Sequence, residues 1–181
     1  TAGDDVILHY AIADVGWFVR PGDPVDREAW KRGVTVYMPD GRAGLHPDRI
    51  AEDAGSLLPG APKPAIVFTV RVAGDGAVVL DGAERAMIRN RAKLAYSTVT
   101  PADLPAAFPE LSRRIEHAER ERGADRIAWP EQEVVHADGG GFTLRFRPRN
   151  DAEQQNAAMS LASNMAIAEA LWAAGTGLFR T

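Results

Sequence analysis

Three cations and a phenol fall within eight positions: Arg89-Asn90-Arg91-Ala92-Lys93-Leu94-Ala95-Tyr96. Cations that follow phosphates beside a ring that stacks on a base are the parts of a single-strand nucleic-acid groove. A solvated charged face has the same composition, so the pattern alone leaves both readings open. Tyr37, just before Pro39-Asp40, is either a stacking platform or ordinary core. Trp129, before Pro130-Glu131, has the same two readings. Asp14 follows a wholly apolar run and precedes Val15-Gly16-Trp17-Phe18. A carboxylate there can organise an active-site loop by accepting backbone N–H bonds, or simply cap a turn.

Other chemistries find less support. There is no cysteine, which excludes thiolate zinc sites, a disulfide scaffold and any disulfide-linked partner. His9, His46, His117 and His136 are scattered without metal-ligand spacing. Gly139-Gly140-Gly141 does not lead from a strand into a helix, so it reads as a hairpin turn rather than a phosphate loop. No G-x-S-x-G elbow occurs. Asp4-Asp5 is a carboxylate pair of the kind that attracts a divalent cation, or else a polar tip before the first strand. Lys and Arg number 21 against 25 Asp and Glu, a net charge of −4. That balance disfavours holding nucleic acid by bulk positive charge, while a local patch can still do so. The chain has no apolar run of the ~18–20 residues a bilayer span needs, and its start has no signal-peptide pattern. A cytoplasmic protein with no membrane partner is expected.

The elements that must position these residues follow from periodicity. A chain of 181 residues, 45% hydrophobic, has the size of one domain or a large piece of one. Residues 6–13 read as a buried strand. Asp26 offers an N-cap for a short helix over 27–32, closed by Gly33. Residues 35–38 read as a strand, and His46-Pro47-Asp48 opens a second short helix that Pro59-Gly60 stops. Residues 65–72 and 77–80 flank Ala73-Gly74-Asp75-Gly76 as a hairpin whose second strand continues through 84–88. Residues 104–122 carry Leu104, Phe108, Leu111, Ile115 and Ala118 on one helical face, with a solvated sign-alternating face at 113–122. A second hairpin over 133–135 and 142–146 precedes the longest helix, 151–174, capped by Asn150. With no repeated βαβ unit, this predicts an α+β fold with a mixed or antiparallel sheet.

In this order the pieces resemble the catalytic domain of the RNase II/RNase R exoribonucleases, the RNB domain. The resemblance runs through Ala11-Ile12-Ala13-Asp14-Val15, Val36-Tyr37-Met38-Pro39-Asp40, Leu45-His46-Pro47, Ser56-Leu57-Leu58-Pro59-Gly60, the 88–96 segment, Arg120-Glu121-Arg122-Gly123-Ala124 and Asn164. It spans residues 1–181 as a single domain, expected to be truncated at both ends.

What the resemblance implies is hydrolysis of single-stranded RNA from its 3′ end to nucleoside 5′-monophosphates, assisted by Mg²⁺. Tyr37 matches a family tyrosine that packs on the RNA 3′ end, and Tyr96 a second one near the substrate. Arg91 and Lys93 share a basic strand and are placed to meet phosphates. Trp129 stands where a family aromatic clamps the terminal base. A family acidic residue early in the last helix falls near Asn156 or Ala157 here. By this alignment the metal-binding aspartates precede Thr1 and the catalytic arginine follows Thr181, so magnesium would be bound outside this chain. The rival readings are a non-catalytic RNA-binding or scaffold module, and an acidic α+β domain that never touches RNA.

Overall fold

A computed structural model describes residues 4–124, 131–147 and 150–177. Val6–Ala13 form strand β1, which pairs antiparallel with β4, Lys63–Val72, in a continuous register from Val6↔Val72 to Ala13↔Ala65. β4 pairs in turn with β5, Val78–Ile88, with a register shift between Thr69 and Val70. The sheet order is β1-β4-β5. Its inner face is β-branched and apolar because a strand buried under helices needs side chains that fill a pleated surface.

Two helices cover that face. α2 runs over Phe108–Glu121 and α3 over Asp151–Ala173. Val6, Val70, Val72, Val78, Leu111, Ile115, Ala158, Ala162 and Ala166 form the core. α3 presents alanines and Ser163 inward, so it lies close to the sheet and to α2. Gly76, at φ +83°, turns the β4–β5 hairpin against α2; a Cβ there would meet the Arg114 carbonyl and would come within 2.7 Å of the Ala118 Cβ.

Between β1 and β4 lies the smaller half. α1 spans Pro24–Arg32, and a hairpin of β2, Val36–Met38, and β3, Gly41–Ala43, follows it. A second hairpin, β6 over Glu131–His136 and β7 over Phe142–Arg147, precedes α3. All pairings among the described residues are antiparallel. The α+β expectation holds. No helix among the described residues is long and apolar enough to cross a membrane.

Several local expectations need correction. The N-cap of α1 is Asp23, not Asp26; Pro24 has its φ already set for the first helical position. Asp26 sits one turn in, accepting the Gly22 N–H at 2.7 Å. The strand at 36–38 is half of a tight hairpin whose return strand, β3, was not foreseen. The helix expected to run from 46–48 to Pro59 is a single π-type turn, Arg49–Ala54. It closes at Gly55, whose N–H reaches the Ile50 carbonyl at 2.8 Å. Any Cβ on Gly55 would stand 2.8 Å from that same oxygen. α2 begins at Phe108 rather than Leu104, because the proline at 105 holds Leu104 in the extended region at φ −103°, ψ 149°. Arg114, read as solvated, is buried: its Nε donates to Glu110 at 2.7 Å and its Nη1 to the Val72 carbonyl at 3.2 Å.

Candidate nucleic-acid interface

β5 ends at Ile88 because its ladder partner begins at Lys63, and Lys63↔Ile88 is the last pair. Residues 89–95 therefore leave the sheet without regular structure. This corrects the expectation of a basic strand carrying Arg91 and Lys93. The segment is tied down at two points instead. Asn90 donates from Nδ2 to the Leu57 carbonyl at 2.6 Å and accepts the Ala92 N–H at 3.1 Å. Tyr96 is joined twice to the start of α3: the Asn150 side chain donates to its carbonyl at 2.8 Å, and Asn156 donates to its hydroxyl at 2.7 Å.

Asn150 is itself fixed. It accepts the Glu153 N–H at 2.9 Å while Glu153 accepts the Asn150 N–H at 3.0 Å, a reciprocal cap. The helix cap thus also anchors the end of the basic segment. That contact between residues 54 positions apart carried no signal in the sequence beyond the cap itself. Asn156, which with Ala157 is one of the two positions near which the family resemblance expected an acidic residue, donates a hydrogen bond to the tyrosine and brings no charge.

The segment's charges stand unopposed. Arg89, Arg91 and Lys93 are exposed and make no ion pair among the described residues. Most described arginines elsewhere are paired. Arg71 grips Asp81 with two hydrogen bonds of 3.0 and 2.9 Å. Arg42 reaches Glu52 at 2.5 Å, and Arg145 reaches Glu133 at 2.9 Å. Arg113 and Arg114 share Glu110, whose carboxyl they hold down at about 2. An unpaired guanidinium keeps its donors for an outside acceptor.

The other sequence-predicted residues fall as follows. Tyr37 lies on β2 opposite Arg42 and is 78% exposed, so the core reading is excluded. Tyr96 is 45% exposed. Both rings remain open to a ligand, though no described contact brings Tyr37 to Tyr96. Trp129 lies outside the described residues. Asp14 stands at the end of β1 and is 4% exposed. Its N–H donates to the Pro64 carbonyl at 3.2 Å and its carbonyl accepts the Trp17 N–H at 3.1 Å. Among the described residues its carboxylate takes no backbone N–H; it faces Arg85, with Nε 3.0 Å from Oδ2 and Nη2 donating to Oδ1 at 3.4 Å. That corrects the means by which it was expected to act, since the partner is a guanidinium on β5. Arg85 was missed because its pairing spans 71 positions.

The described residues do not fit a resident magnesium ion. A hard divalent cation needs several oxygen ligands converging on one point. Asp14 is committed to Arg85, and Asp5 has Arg71 at 3.7 Å. No group of three His, Asp or Glu among the described residues converges on one point.

An α+β domain that offers cations unpaired among its described residues beside a half-exposed tyrosine, Tyr96, defines a candidate polynucleotide-binding protein. The comparisons with known proteins make the class specific. The RNB domain model matches residues 1–181, and the chain belongs to that family. Exoribonuclease 2 of Vibrio parahaemolyticus is 30% identical over 190 residues, covering 100% of this chain and 28% of its own length. Ribonuclease R of Aquifex aeolicus is 31% identical over 156 residues, covering 77% of this chain and 22% of its own. Mycoplasma genitalium RNase R, solved in complex with double-stranded RNA, superposes with a TM-score of 0.84 at 20% identity, over 95% of this chain and 33% of that one. That likeness concerns the fold. The chain spans about a quarter of the length of the curated relatives it matches.

Proposed function

We propose that these residues form part of the single catalytic domain of a 3′–5′ exoribonuclease and hold its substrate, single-stranded RNA. The observation that carries this reading is the run of unopposed cations, Arg89, Arg91 and Lys93, ending at a tyrosine moored to α3 by two hydrogen bonds. Arg91 and Lys93 meet successive phosphates. Alternate residues are at most about 7 Å apart along a chain, which suits an extended strand rather than a compact ligand. Tyr96 and Tyr37 stack on bases, and Trp129 belongs to the same set. Tyr96, an exposed ring held by hydrogen bonds, binds a base with little ordering cost.

The whole enzyme would release nucleoside 5′-monophosphates in the cytoplasm, with Mg²⁺ held by carboxylates outside these residues. Magnesium there would supply charge neutralisation and would activate a water. This chain's part is to bind the tail and set its position. A second reading, an RNB-derived module that grips RNA or scaffolds partners without cutting, is favoured by the commitment of Asp5 and Asp14 to arginines.

The test uses fluorescent single-stranded RNA and the 181-residue chain, with anisotropy read across a salt series. Binding that weakens linearly in log salt supports the reading, since phosphate contacts release counterions. Salt-independent binding, or none, would remove RNA from the account. Monophosphate release by the full-length protein, abolished by EDTA, separates the enzyme from the non-cutting module. Release by these 181 residues alone would contradict the placement of the metal outside them.

A further inference from the structure

We propose that Arg85 is a further phosphate ligand, held ready by Asp14, which extends the cationic segment back onto β5; this rests on the RNA reading above. Arg85 pairs in register with Ile66, and Ile66 with Ile12, so the three share one face of the sheet. Asp14 lies two residues beyond Ile12 and continues that face. Its carboxylate is almost wholly buried, and among the described residues Oδ2 has no hydrogen-bond partner of its own. The Arg85 Nε at 3.0 Å is its counter-charge. Leaving that carboxylate unpaired would be costly, so the guanidinium stays on it.

The arginine nevertheless leaves 61% of its side chain in solvent. Nε and Nη2 face Asp14, so the guanidinium edge carrying Nη1 is turned away from that carboxylate. A planar fork clamped along one edge and open along the other has lost most of the rotamer freedom that phosphate binding would otherwise cost. Gly16 lies against the pair: a Cβ there would stand 3.2 Å from Arg85 Nη2, close enough to nudge the guanidinium, and 3.4 Å from Asp14 Oδ1, an ordinary contact. Arg85 stands four positions before Arg89, at most about 14 Å along the chain. The phosphate track therefore begins inside the sheet and leaves it at Ile88.

Two further features make the assignment testable. Asp14 is a positioning residue, and removing its charge makes the protein less acidic. General electrostatics then predicts tighter RNA binding by Asp14→Asn, whereas loss of positioning predicts weaker binding. The experiment measures affinity for a single-stranded oligoribonucleotide against salt with wild type, Arg85→Gln, Arg85→Lys, Asp14→Asn and the double variant Arg91→Gln/Lys93→Gln. Arg85→Gln should lower the salt slope by about 0.7, one phosphate contact. It should weaken low-salt binding about fivefold. Arg85→Lys should keep the slope and still bind more weakly, because an ammonium cannot serve carboxylate and phosphate edges together. Asp14→Asn should bind more weakly than wild type. Arg85 variants with wild-type slope and affinity, beside a double variant that loses both, would overturn this proposal and leave the RNA reading standing. Tighter binding by Asp14→Asn would overturn the positioning role. A double variant indistinguishable from wild type would overturn the RNA reading and this proposal with it. Where Arg85→Gln fails to fold, Arg85→Lys carries the decision.

Discussion

Two regions of this chain are rich in arginine and look alike as strings of letters. On α2, Arg113 and Arg114 answer Glu110 within one helical turn, and Arg114 turns inward to the Val72 carbonyl. In the 89–96 segment, Arg89, Arg91 and Lys93 have no carboxylate to answer them among the described residues. The first set is spent on the fold and the second remains available. Charge density does not distinguish them; the geometry of nearby carboxylates does. In a protein of net charge −4, local neutralisation elsewhere is what leaves a short positive surface.

The largest effect is expected at the exposed cations of the 89–96 segment. Arg91→Gln with Lys93→Gln should weaken single-stranded RNA binding roughly a hundredfold at low salt, two charge-assisted contacts at about 1.5 kcal/mol each. A change under threefold in a titration would erase the distinction. Tyr96→Ala should cost ~1–3 kcal/mol of binding, as for a stacking ring, with the chain's melting temperature little changed. Tyr96→Phe separates the two parts of its role. The ring is kept and the Asn156 bond to its hydroxyl is lost, so most of the affinity should remain; an equal loss in both variants would contradict stacking.

On α2 the opposite is expected. Arg113→Gln should leave RNA affinity within about twofold of wild type, and a larger loss would move the interface onto the helix; exposed pairs of this kind contribute little to stability either. Acid sharpens the contrast further. The two arginines hold the Glu110 carboxyl down at about 2, below its ordinary unfolded value near 4.3. A depressed folded-state pKa means that the stabilisation is present above the unfolded value and lost as pH falls through the folded one. Melting temperature should therefore decline between about pH 4 and pH 2, and Glu110→Gln should flatten part of that decline. Asp81 and Glu133, lowered by Arg71 and Arg145, contribute in the same direction. A variant whose acid profile matches wild type would contradict the pairing.

What could be read beforehand depended on how local its cause was. β1 and the β4–β5 hairpin stood out because apolar strands and a Gly-rich turn speak through neighbours. α3 was placed to within a residue by Asn150 at one end and Gly175 at the other. The start of α2 was misjudged because a proline at 105 outweighs the apolar spacing of Leu104. The π-type turn at Arg49–Ala54 was hidden because its i+5 bond has no sequence periodicity of its own. At the candidate site, Arg91, Lys93 and Tyr96 were legible as residue types, but their separation from the sheet was not. The Asn150 and Asn156 contacts and the Asp14–Arg85 pair join distant positions, and only the fold brings them together.

On the proposed reading, RNA runs along residues 89–96 and not along α2. The most direct measurement is photocrosslinking of a 3′-terminal 4-thiouridine oligoribonucleotide to the chain, with the modified peptides identified by mass spectrometry. Crosslinks should map to the peptides carrying Tyr96 and Tyr37 and vanish when unlabelled single-stranded RNA competes. Crosslinks confined to the 108–121 helix, or spread evenly over the surface, would contradict it.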